Sequence, residues 1–166
     1  MYSDYNMYNQ YYAVSNPIGN QIPINNEEII TLNQAIELIR KSVGDEKEDE
    51  MFYDTLINQA PTEKEKEIIR SIRNDERKHN QILRRLYYEF TGGLLPQDNS
   101  KNVANNTMKY KANLEKALFG ELGAVEKYRR IMGAMPNKNS YTLLMSIMTD
   151  ELRHANKYNF LIHNAK

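Results

Sequence analysis

Glu76 and His79 stand three residues apart, and so do Glu151 and His154. On a helix this spacing lays a carboxylate and an imidazole on one face, about one turn apart. Both pairs interrupt stripes that are otherwise apolar: Ile69, Ile72, Leu83, Leu86 and Phe90 around the first, Leu144, Ile147, Tyr158 and Leu161 around the second. Glu46 and Glu121 take comparable positions in the segments that precede each pair. A carboxylate carried into an apolar core costs on the order of several kcal/mol unless it is neutralised. Only two histidines and no lysine share these stripes, so divalent cations are the neutralising partner that fits. Four carboxylates and two imidazoles suit two adjacent ions, with carboxylates bridging and each histidine completing one ion. Such a donor set favours iron or manganese and is unlike a structural zinc site.

The two halves of this constellation are copies. Shifting the chain by 75 residues without a gap aligns Glu46 with Glu121, Tyr53 with Tyr128, Pro61 with Pro136, Asp75 with Asp150, Glu76 with Glu151 and His79 with His154. Ser71 with Ser146, Ile72 with Ile147 and Leu86 with Leu161 coincide as well, so core spacers repeat along with polar residues. A duplicated helix pair follows.

Helices at four places must hold these residues. Apolar positions at 32, 36, 39 and 43 continue with the same spacing through Glu46, Glu50, Tyr53, Ile57 and Ala60, which reads as one helix capped by Thr31 and stopped by Pro61. Gly44 within it costs about 1 kcal/mol against alanine and marks a bend. A second helix starts at Pro61 and Thr62 and ends at Gly92 and Gly93. The third carries Leu114, Leu118, Glu121, Val125, Tyr128 and Met132, and the fourth carries the second Glu-x-x-His pair. No period-two alternation occurs, so the expected class is all-α. The segment from Gly92 to Asn106 is rich in Gly, Asn and Ser and reads as a long connection. Its roughly 15 residues reach at most about 50 Å, enough to run beside a helix of about 42 Å.

Composition narrows the function. Lys plus Arg equal Asp plus Glu at 22 each, so no net basic field is present to hold nucleic acid or an anionic membrane. The absence of cysteine removes disulfides, thiolate metal sites, iron–sulfur clusters and thiol nucleophiles together. No stretch has the apolar length of a signal or membrane-spanning segment, and a cytoplasmic location is the expectation.

Taken together, Glu46 with Tyr53, Asp75-Glu76-Arg-Lys-His79, Glu121 with Tyr128 and Asp150-Glu151-Leu-Arg-His154 resemble the ferritin-like superfamily, in particular its rubrerythrin and bacterioferritin branches, over residues 27–166. The resemblance implies an antiparallel four-helix bundle with one long crossover between helices two and three. It implies a centre of two iron ions, or two manganese ions, held by Glu46, Glu76, His79, Glu121, Glu151 and His154. Asp75 and Asp150 look like the aspartates that accept a hydrogen bond from the other repeat's histidine, pairing Asp75 with His154 and Asp150 with His79. Tyr53 and Tyr128 look like the near-metal tyrosines, able to bond a ligand carboxylate or to donate an electron.

Two departures qualify the likeness. Rubrerythrins usually add a cysteine-ligated rubredoxin iron, which a cysteine-free chain cannot build, so electrons must come from an external donor protein. They also carry a glutamate one turn after the third-helix ligand, where this chain has Ala124. Glu50 and Glu126 have no acidic counterpart in the other repeat and are left outside the ligand set. His163 reads as a surface cation at a helix C-terminus, and Met132, Met135, Met145 and Met148 as core filler.

The expected activity is reduction of hydrogen peroxide or dioxygen by the dimetal centre. Manganese-catalase-like disproportionation, an iron-storage ferroxidase and a coat-associated structural role stand beside it. Residues 1–26, with Tyr2, Tyr5, Tyr8, Tyr11 and Tyr12 among Asn, Gln and Ser, read as a flexible tail preceding a bundle over 27–166. A homo-oligomer is expected, with the tail as an assembly or coat-binding arm.

Overall fold

The computed structural model describes residues 29–44, 46–96 and 108–165, and for residues 46–50 the backbone alone. The tail therefore lies outside the described residues, as do the side chains of Glu46 and Glu50 and residues 97–107 of the long connection. Within these limits the chain forms five helical segments and no strand: α1 Leu32–Gly44, α2 Glu46–Gln59, α3 Glu63–Thr91, α4 Tyr110–Gly133 and α5 Lys138–Asn164. Together they make a helical bundle.

The first arm is described as α1 up to Gly44 and as α2 from Glu46, and residue 45 between them lies outside the described residues. The Asn80 side-chain amide, buried on α3, reaches 3.5 Å towards the Val43 carbonyl.

The other helix ends are set locally. Thr31 and Gln34 form a reciprocal cap at α1, with Gln34 N–H donating to Thr31 Oγ1 at 3.3 Å and Thr31 N–H to Gln34 Oε1 at 2.8 Å. Thr62 accepts from Glu65 N–H at the start of α3, and Asn137 from Ser140 N–H at the start of α5. These two caps occupy the same position of the repeat. Gly92 ends α3 at φ 68°, a left-handed conformation that glycine adopts without a Cβ penalty, and donates to the Tyr88 carbonyl.

Two apolar clusters bracket the middle of the bundle. One joins Ala35, Ile39 and Val43 of α1 with Leu83 and Leu86 of α3, Tyr128, Ile131 and Met132 of α4, and Leu144 and Ile147 of α5. The other joins Tyr53, Leu56 and Ala60 with Ile69, Ile72, Leu114, Ala117, Tyr158 and Leu161. The late residues of α3 and of α4 share one cluster and the early residues of both share the other, so these two helices run in the same direction. Glu76, His79, Glu121, Glu151 and His154 fall in sequence between the two clusters. Among the described residues no helix is long and apolar enough to cross a membrane.

Candidate metal centre

α3 and α5 each present a Glu-x-x-His face to the bundle axis, and α4 presents Glu121 between them. Glu151 is 1% exposed, His154 0%, His79 3% and Glu121 7%, while Glu76 is only partly covered. One ligand atom from each of Glu76, Glu121, Glu151 and His154 lies within 4.8 Å of the others. His154 Nδ1 is 3.0 Å from Glu76 Oε1, 3.5 Å from Glu151 Oε2 and 3.7 Å from Glu121 Oε2. His79 stands outside that mutual group, with its Nδ1 3.4 Å from Glu76 Oε1 and 3.5 Å from Glu151 Oε1. The two imidazole centroids are 5.7 Å apart.

Glu76 Oε1, Glu151 Oε2, His79 Nδ1 and His154 Nδ1 are buried and make no hydrogen bond. Buried polar atoms are nearly always partnered, and four orphans of ligand type turned to one another need a common partner. A cation would supply it. The oxygen and imidazole donors therefore fit the metal pair expected from the sequence.

The other ring nitrogen of each histidine meets the aspartate of the opposite repeat. His79 Nε2 is 3.1 Å from Asp150 Oδ2, and His154 Nε2 is 3.4 Å from Asp75 Oδ2. With Nε2 as donor, each Nδ1 is left as a lone pair facing the carboxylates. Arg153, which the sequence reading passed over, ties the two aspartates together at 3.0 Å from Asp75 Oδ2 and 2.9 Å from Asp150 Oδ1. Its signal was available: Lys78 occupies the same repeat position and pairs with Asp75 Oδ1 at 2.9 Å.

Proton affinities follow from this crowding. Burial disfavours the charged His154 ring, but contacts with Glu121, Glu151 and Glu76 outweigh it and push its pKa up to about 11. Burial likewise opposes protonation of His79, and Glu151 and Glu76 raise it to about 10. Burial, together with the Glu151 and Glu76 charges and against His154, lifts Glu121 to about 9. Glu151 goes the other way: burial works against its charge, but both histidines hold it below the usual range. Asp75 is held at about 2, burial being overcome by Lys78, His154 and Arg153.

Tyr53 is buried, and its hydroxyl lies 3.5 Å from Glu121 Oε1. Tyr128 is buried too, with Lys127 Nζ 4.8 Å above its ring. A cavity of about 370 Å³ reaches the centre, floored by Glu76, His79, Glu121 and Glu151 and walled by Phe52, Tyr53 and Tyr128. Ala124 lines it where a further carboxylate would otherwise project. The Glu46 backbone opens α2, which packs on α3 and α4.

A family model for rubrerythrin matches residues 37–162, most of the chain. The chain belongs to the rubrerythrin family. This places it among the di-iron carboxylate proteins of the ferritin-like superfamily, with the helical bundle and the carboxylate–histidine cluster that go with that class. A solved structure, that of a hypothetical protein from Pyrococcus furiosus, is similar over 81% of this chain and 94% of its own, at 20% identity and a TM-score of 0.67, a likeness of fold. No curated protein matches the sequence.

Proposed function

We propose that this rubrerythrin-family chain is an oxidoreductase that reduces hydrogen peroxide or dioxygen at a di-iron centre held by Glu46, Glu76, His79, Glu121, Glu151 and His154. The observation that carries the reading is the convergence of four buried ligand-type atoms that make no hydrogen bond, one each from Glu76, His79, Glu151 and His154. When bound, the metal pair supplies the electrons and the open coordination positions at which a small oxidant is taken up.

The chain's own residues do the rest. Asp150 and Asp75 accept from Nε2 of His79 and His154 and so direct each Nδ1 lone pair inward. Arg153 contacts both aspartates and so links the supports of the two histidines. The Tyr53 hydroxyl orients Glu121 through Oε1 and stands within reach as an electron donor, with Tyr128 in the matching position of the other repeat. The cavity bounded by Phe52, Tyr53 and Tyr128 admits an oxidant of a few atoms. Electrons come from an external donor protein, and the setting is the cytoplasm.

The cysteine-free sequence favours a second reading, a di-manganese centre that disproportionates peroxide and needs no donor. Anaerobic addition of peroxide to the reduced, metal-loaded protein separates the two. Stoichiometric oxidation of the centre without gas evolution supports the peroxidase reading. Sustained dioxygen release without a donor supports the catalase reading, and no reaction with either oxidant contradicts both.

A further inference from the structure

The cavity over the centre is larger than an oxidant of two heavy atoms needs. Its volume of about 370 Å³ falls in the range of small-molecule sites, whereas a water takes about 30 Å³ of liquid. One end lies by the second apolar cluster, to which Phe52, Tyr53 and Ala117 belong. The other lies by the first, with Leu83, Ala124 and Tyr128. Between them α4 contributes Gly120, where an added Cβ meets nothing within 4 Å.

At the Phe52 end two cations lack a full set of partners. Arg73 lines the cavity, and its Nε is buried and makes no hydrogen bond, although Nη1 of the same guanidinium donates to Asp54 Oδ1 at 2.6 Å. Buried donors are nearly always satisfied, so an orphan on a cavity wall calls for an acceptor. Lys116 Nζ lies 5.2 Å from the Phe52 ring centroid, and no carboxylate among the described residues pairs with it. The acids of the floor are engaged elsewhere: Glu76 and Glu151 each meet both imidazoles, and Glu121 meets His154. The duplication shows that a helix pair folds without this arrangement. At the offset of 75 residues Arg73 corresponds to Met148, and Phe52 to Lys127.

From this we infer that the cavity binds a small organic carboxylate, its head taken by Arg73 and Lys116 and its apolar body lying along Phe52 and Ala117 towards Gly120. A carboxylate supplies the acceptor that Arg73 Nε lacks and the negative charge that Lys116 lacks, in charge-assisted bonds stronger than neutral ones. Phe52 and Ala117 give a carbon body its wall, and the open space at Gly120 gives it room. An inorganic anion would leave that wall uncovered. None of Arg73, Lys116, Phe52 and Gly120 belongs to the ligand set, so this site stands whichever reaction the centre carries out.

Calorimetric titration of the full chain with phenylacetate and with hexanoate, in the metal-free and in the iron-loaded protein, tests this. Saturable binding of at least one of them is expected in both forms. Phenylacetamide, which keeps the ring and lacks the charge, is expected to bind about 10- to 100-fold more weakly than phenylacetate. Arg73→Met, which installs the residue type found at the matching position 148, and Lys116→Met are each expected to weaken binding about tenfold or more with unchanged helical circular dichroism. Lys64→Met, outside the cavity, is expected to leave binding unchanged. Should Arg73→Met fail to fold, Gly120→Leu in the metal-free form gives the answer: leucine is the better helix former, and its side chain is expected to fill the cavity and abolish binding. Binding of neither carboxylate, or binding that survives Arg73→Met or Gly120→Leu unchanged, overturns the proposal. So does binding that appears only with iron and is the same in Lys116→Met, since the carboxylate would then sit on the metal.

Discussion

His79 Nε2 lies 3.1 Å from Asp150 Oδ2, 71 residues further along the chain, and the reciprocal contact joins His154 to Asp75. Each repeat therefore completes the other's histidine. Because a carboxylate behind a ligating imidazole fixes its tautomer and raises its basicity, Asp150→Ala and Asp75→Ala are each expected to weaken metal binding about 10- to 100-fold. Metal titrations of the two variants check this, and unchanged affinity in both would mean that the aspartates only decorate the helix surface.

Uptake of metal should expel protons. His79, His154 and Glu121, with pKa values raised to about 10, 11 and 9, all carry a proton at pH 7 in the metal-free protein. Ligation needs each of them deprotonated, so binding releases protons and affinity rises as the pH is taken from 7 towards 9. Calorimetry in buffers of different ionisation enthalpy measures the release. The same binding enthalpy in every buffer would count against the protonation states described.

Much of the centre was legible because the repeat exposes it: two Glu-x-x-His pairs and their aspartates recur in register, which one pair alone would not make significant. Met145, expected in the core, is 45% exposed, since methionine at a helical spacing says nothing about which flank is covered. Arg153 carried one signal, the basic Lys78 at its repeat position, but only the structure shows its proximity to both aspartates.

Gly44 offers a test of the first arm. A Cβ built on it meets nothing within 4 Å, and the residue is exposed. Gly44→Ala should therefore raise stability by about 0.5–1 kcal/mol through helix propensity. Chemical denaturation reads the change. A loss of stability would mean that this position needs glycine for a reason beyond propensity.

The tyrosines should separate binding from turnover. Tyr53→Phe removes a long hydroxyl contact to Glu121 and nothing from the core, so metal content should hold and stability should fall by no more than about 1 kcal/mol. Oxidation of the loaded centre should slow in Tyr53→Phe and in Tyr128→Phe. Stopped-flow absorbance after mixing with peroxide measures it, and wild-type rates in both variants would remove the tyrosines from the reaction.

The most direct measurement is an anaerobic iron(II) titration of the metal-free chain, with bound iron counted after gel filtration. About two ions per chain are expected in the wild type, as in dimetal carboxylate bundles, with a sharp loss in Glu76→Ala and Glu151→Ala and near-normal content in Glu50→Ala. Binding of no iron by the wild type, or equal loss in all three variants, would contradict it.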